Sequence, residues 1–213
     1  MFTHLLFILN FQGDVAVVQC PLGSNGFAKW SCNHPDANRP YESQVSWSTK
    51  GPTLAECRST WIGDLDSKLR SGLVSVGNVS KILAEKTAQI SNDHENQADS
   101  NNNVLFGGDL ILGARMLKQM AERMHYVIQR TVNLEAREAL VTDLVQNVVK
   151  TASNMISDSA DIRQSWGDLS ADELGRAATA LMVGLEENAF LLAETVTSEK
   201  IIFKPTQNIR KLN

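Results

Sequence analysis

From residue 60 onward the apolar positions return at three- and four-residue spacing, the signature of amphipathic helices. Trp61, Leu65 and Leu69 mark a short one, and Val79, Ile82, Leu83 and Ile90 mark a second. Leu110, Ala114, Leu117, Met120, Met124 and Val127 share a face over about 109–131. Leu140, Leu144, Val148, Ala152 and Met155 share another over about 134–157, widened by Val141, Val145 and Val149. A last helix opens on Ser170-Ala171-Asp172-Glu173, where serine and glutamate can satisfy each other's backbone amides in a capping box. Its face runs through Leu174, Ala178, Leu181, Leu185, Leu192 and Val196. Faces this wide belong to helices packed on each other, so a helical bundle is predicted. Leu181 and Leu185 should lie buried near Leu117 and Val148.

The preceding stretch has another texture. Residues 12 to 59 hold all three cysteines, four of the five prolines and two of the four tryptophans. Short apolar runs (VAVV, GFAKW, SQVSW) are broken by Gly, Pro, Ser and Asn, which predicts short strands joined by turns. A unit this small cannot bury enough surface to be secure alone and usually needs a staple. Cys20, Cys32 and Cys57 allow three different single bridges, or none, and their number alone does not choose. SNDHENQADSNNN, residues 91 to 103, reads as an exposed polar loop, and Gly107-Gly108 as a turn before a helix at Asp109.

Composition narrows the field. Hydrophobic residues make up 43 % and charged residues 21 % of the 213, enough for a packed core. The formal net charge is −4 and no basic stripe gathers, which argues against a nucleic-acid partner. No apolar run approaches the roughly 20 residues of a membrane-spanning helix. MFTHLLFILNFQG faintly resembles a secretory signal, but Asn10 interrupts its apolar stretch, no Lys or Arg precedes it, and no cleavage site comes promptly after it. The plainer reading is an apolar first strand or a segment foreign to the adjoining domain.

Catalytic chemistry finds little support. His4, His34, His94 and His125 stand in four different contexts. Cys32-x-His34 lacks the further ligands a zinc site requires. There is no phosphate-binding glycine loop and no nucleophile elbow, and Glu186 and Glu187 point about 100° apart on a helix. No cofactor and no small-molecule substrate are expected. Asn78-Val79-Ser80 is the only N-x-S/T sequon, a candidate glycosylation site if the chain enters the secretory pathway.

Trp47, Lys50-Gly51-Pro52 and Cys57, with Ser59-Thr60-Trp61-Ile62 just after, resemble the end of the hormone-receptor motif of latrophilin-like adhesion G-protein-coupled receptors. CPLGSNGFAKWSC resembles the middle of that motif. SWGDLSADELGRAATALMVGLEENAFLLAETV, residues 165 to 196, is similar to the helical subdomain A of the GAIN domain, and IIFKPTQNI to the entry into its β-rich subdomain B. The resemblance covers about residues 13 to 208.

It implies a mainly α chain. Residues 1–11 would be a segment outside the family, 12–59 a truncated hormone-receptor module with a disulfide-linked β-rich fold, and 60–200 the GAIN subdomain A bundle. Residues 201–213 would be an extended, poorly anchored tail. In the family motif the first cysteine pairs with the third and the second with the fourth. Cys20, Cys32 and Cys57 match the second, third and fourth, so the resemblance implies a Cys20–Cys57 bridge and an unpaired Cys32 whose partner would precede Cys20. It also implies a fragment of an extracellular receptor region, a spacer and protein-binding module with an extracellular protein ligand. GAIN domains that cut themselves use His-Leu-Ser/Thr; here Leu6 comes after His4-Leu5, so no self-cleavage is expected. The rival reading is a cytosolic helical scaffold with reduced cysteines.

Overall fold

The computed structural model describes residues 15–33, 46–48, 51–92, 104–196, 206 and 208–209. The alternating run at the start forms β1, Val15–Gln19, paired antiparallel with β3, Phe27–Asn33, in the register Val15↔Ser31 to Gln19↔Phe27. β4, Ser46–Trp47, extends this sheet on the far side of β3, giving the order β1-β3-β4. A second, two-stranded pairing joins β2, Ser24–Asn25, to β5, Arg58–Ser59. Two-residue strands leave no periodicity to read, so this pairing has no signal in the sequence.

Beyond β5 the described residues are helical, with no further strands among them. α1 spans Thr60–Ser71, α2 Val76–Asn92, α3 Gly107–Arg130, α4 Leu134–Met155, α5 Ala160–Gly167 and α6 Ala171–Thr195. Several helices begin where a side chain can take up free backbone amides. Asn133 accepts from Ala136 N (3.0 Å) at α4. At α6 the predicted capping box forms: Glu173 Oε2 accepts from Ser170 N (3.0 Å) and Ser170 Oγ accepts from Glu173 N (3.4 Å). Glu173 is held below the usual carboxylate range, chiefly by the Ser170 hydroxyl and then by the Ser170 amide. α5 escapes a reading of periodicity because its eight residues bury only Ile162 and Ser165.

α3 packs most extensively on α6, α2 on α4, and α4 also on α6, while α1 closes one end against α3 and α2. Leu110, Leu117, Met120, Leu144, Val148 and Met155 are fully or almost fully buried between them. Sequence periodicity places the stripes within a residue or two but draws their edges too wide. Ile82, Val127, Leu140 and Leu174 are each about 40 % exposed, at the margins of their faces.

On α6 the buried line passes through Ala177, Leu181, Gly184, Asn188 and Leu191 rather than through Leu174. Its centre is a glycine and an asparagine, residues an apolar count does not register. A Cβ at Gly184 would lie 2.9 Å from Leu117 Cβ, so only glycine lets α6 approach α3 this closely. Asn188 then bridges the crossing, its Nδ2 donating to Leu117 O (2.9 Å) and Gly184 O (2.7 Å). Leu181 is buried at this crossing while Leu185 is half-buried. Leu181→Ala should therefore cost about 2–5 kcal/mol in chemical denaturation, and Leu185→Ala clearly less.

The tail departs from expectation where it is described. Asn208 donates from its backbone N to Ser153 Oγ (3.1 Å) and from Nδ2 to Ser153 O (2.8 Å), and Ile209 packs on the bundle core. The chain is thus anchored to α4 at that point rather than loose. The rest of residues 197–213, like the segment 1–14 and the polar stretch 93–103, lies outside the described residues.

Candidate functional site

Among its described residues the strand module has one small apolar cluster, in which Ala28, Cys57 and Phe106 are buried and Val18, Cys20 and Leu54 partly buried around them. Phe106 belongs to the bundle, immediately before α3. The module therefore completes its core with a side chain from the neighbouring unit, and the surface where the two meet is the feature with most structural consequence.

Three devices build that joint. The first is covalent and internal to the module: Cys20 and Cys57 form a disulfide, with Cα atoms 5.7 Å apart, that ties the end of β1 to the start of β5 and so steadies the Cys57 backbone that meets the bundle. Beside it Gly26 has φ +113°, and a Cβ there would lie 2.5 Å from Glu56 O, so the turn tolerates only glycine.

The second device is close backbone approach. A Cβ on Gly108 would sit 2.4 Å from Cys57 O, and one on Gly107 2.7 Å from Leu169 Cδ2 and 3.0 Å from Ala55 Cα. These glycines are not a turn before the helix, as the sequence suggests. They form the first turn of α3, left bare so that the Cys57 backbone can lie against it.

The third device is polar. Asp109, fully buried, accepts three bonds: from Ser59 N (2.8 Å), Ser59 Oγ (2.6 Å) and Phe106 N (3.0 Å). It caps its own helix and grips β5 of the module in one carboxylate. Burial pushes the Asp109 carboxyl above its usual range, and the bonds from Phe106 and Ser59, with the nearby Arg58 charge, restrain the rise. A second clamp stands behind it. Leu54 N donates to Asp168 Oδ2 (3.2 Å) and Thr53 Oγ1 to Asp168 O (3.2 Å), and Asp168 is also shifted upward by burial.

The residues singled out from sequence divide accordingly. Cys20 and Cys57 come together at the joint. Cys32 lies on β3 opposite Trp47, buried and free of a disulfide. Next to it the Trp30 and Trp47 rings stand 5.5 Å apart, and Trp30 Nε1 donates to Ser48 O (2.9 Å). A thiol reagent should modify Cys32 far more slowly in native protein than after denaturation, as mass spectrometry can follow. Asn78 sits elsewhere, exposed on the first turn of α2. Sequence reasoning misses the roles of Asp109, Gly107, Gly108 and Asp168. An acid on the third residue of a helix is the available signal for Asp109, but its partner Ser59 lies 50 residues away.

Among the described residues no group of three His, Cys, Asp or Glu side chains could hold a metal ion, and no helix is long and apolar enough to cross a membrane. His34 and the His4-Leu5 pair fall outside the described residues.

The described residues thus form a small disulfide-linked strand module clamped to the first turn of a helical bundle. The family model for GAIN, described as AGRL2-4 GAIN subdomain A, matches residues 62–193, and the chain belongs to that family, in the latrophilin-like line of adhesion G-protein-coupled receptors. It is similar to Latrophilin Cirl of Drosophila ananassae, 28 % identical over 253 residues, covering 97 % of this chain and 14 % of the relative. Latrophilin Cirl of Drosophila persimilis is 28 % identical over 256 residues, and that of Drosophila mojavensis 27 % over 258, with the same coverage. The chain thus spans about one seventh of the length of these relatives, 14 %.

Proposed function

We propose that this chain acts as a rigid spacer and protein-binding module on the extracellular side of the plasma membrane, in cell adhesion and receptor signalling. One observation carries the reading: the Asp109 carboxylate, buried at the joint, bonds both β5 and the amino end of α3. A joint fixed by the buried Asp109 carboxylate, the Asp168 clamp and two close backbone contacts resists bending, so it can hold flanking domains at a set angle. The Cys20–Cys57 bridge also favours an oxidising compartment over the cytosolic-scaffold reading. In this reading the chain has no catalytic role. It should stay intact on prolonged incubation, and a discrete pair of products arising without added protease would sink that part.

Spin labels carried on non-canonical amino acids at Phe27 and Met182, both exposed, test the spacer. Pulsed electron paramagnetic resonance should give one narrow distance distribution. A broad, multi-component distribution would show a flexible link and overturn the proposal.

A further inference from the structure

The sequon lies in an unusual place. N-x-S/T acceptors are expected on surface loops, yet Asn78-Val79-Ser80 occupies the first turn of α2, where Ser75 Oγ accepts from Asn78 N (3.3 Å). Two residues along a helix turn the side chain through about 200°, so Asn78 and Ser80 face opposite sides. Asn78 is exposed while Ser80 is 1 % exposed. The Ser80 hydroxyl donates to Gly77 O (2.8 Å) and accepts from Asn147 Nδ2 of α4 (3.2 Å). A transferase that must engage the amide and the hydroxyl together cannot do so on this folded helix.

Asn78 also lines a groove of about 1360 Å³ between α2, α3 and α4. Across it stand Tyr126, two-thirds exposed, with Arg130, Asp143 and Gln146. Val74, Val127 and Leu140 line it as well, so the groove offers an aromatic and aliphatic face rimmed by amide and charged groups, onto which the C–H face of a sugar ring can stack while its hydroxyls meet the rim.

We propose that Asn78 is an N-glycosylation site, modified before α2 closes, whose glycan then covers the α2–α3–α4 groove. In the transfer, the Asn78 amide nitrogen attacks the anomeric carbon of a lipid-linked oligosaccharide. The bond from that carbon to the lipid diphosphate breaks, the diphosphate leaves with the electron pair, and the amide gives one proton to the transferase. Folding then pins the Ser80 hydroxyl and seals the sequon. With the glycan in place, a protein ligand contacts a surface other than this groove. The inference rests on the extracellular reading.

The test uses the full chain behind a cleavable heterologous leader, translated into microsomes. Wild type should gain one glycan, and Asn78→Gln, an exposed change that leaves the fold intact, should gain none. Unfolded, reduced chain given to solubilised transferase with lipid-linked donor should be modified, while folded chain should not. Hydroxyl-radical footprinting should then show oxidation of Tyr126 several-fold lower in glycosylated wild type than in Asn78→Gln. An unmodified wild type, or folded chain accepted as readily as unfolded, overturns the site and its timing; equal Tyr126 oxidation overturns the covered groove. These outcomes leave the extracellular reading standing. Native protein recovered in the cytosol with Asn78 bare would instead fell that reading and, with it, the claim that the site is used.

Discussion

Replacing Asp109 with Ala should destabilise the protein by about 2–6 kcal/mol and release the strand module from the bundle. The carboxylate satisfies two buried amides, Ser59 N and Phe106 N, each costing about 1–3 kcal/mol when left unpaired. The Ser59 hydroxyl has an alternative in Val104 O, 3.4 Å away, and adds less. Asp109→Asn should lose less than Ala, because its carbonyl keeps one amide satisfied whichever way the side chain turns, and it carries no charge to desolvate. Denaturation of the two variants in parallel reads the difference. If Ala is as stable as wild type, the joint is held instead by the glycine contacts and the Asp168 clamp.

The same residue sets a pH dependence. Burial raises the Asp109 carboxyl above its ordinary 3.8, so the folded protein keeps this proton to higher pH than the unfolded chain does. Between 3.8 and the raised value the folded state binds more protons, and the contribution of Asp109 to stability falls as pH rises through that window. Asp168 shifts in the same direction and Glu173 in the opposite one, so the measurement is the difference between wild type and Asp109→Asn across the window. The advantage of wild type over the variant should narrow as pH rises, and a flat difference would contradict it.

Legibility of the fold follows the length scale of the signal. Long helices with wide faces, such as α3 and α4, repeat their period often enough to stand out above a misplaced Val127 or Leu140. The capping box at Ser170 and Glu173 is legible because both partners lie within one turn. What stays hidden depends on pairs far apart in sequence or on residues that act by what they lack. Asp109 has meaning only beside Ser59, and Gly184 only beside Leu117. The Cys20–Cys57 pairing is legible only through the family resemblance, since spacing alone leaves three bridges open.

Reducing that bridge should cost the module about 4 kcal/mol, the chain entropy recovered when a loop of 37 residues is opened. The loss falls on a unit in which, among the described residues, the cluster around the bridge is only Ala28, Cys57 and one borrowed phenylalanine, Phe106. The helices have their own core, built on Leu117, Met120, Leu144 and Met155, which is separate from the cluster around the disulfide. Native-state hydrogen exchange should therefore separate the two units. On reduction, the amides of Val15–Gln19 and their partners on β3 should exchange roughly a thousand-fold faster, the same free energy expressed as an opening equilibrium. Amides in the middle of α3 and α6 should change little, because Gly184 and Asn188 hold that crossing independently of the module. Ser59 is the point of contact between the two outcomes: once β5 lets go, Asp109 loses two of its three donors and only Phe106 N remains to cap α3. The first turn of α3 should then fray while its centre stays closed. Uniform acceleration across strands and helices would mean instead that the joint makes one cooperative unit of both, and that the disulfide stabilises the bundle as much as the module.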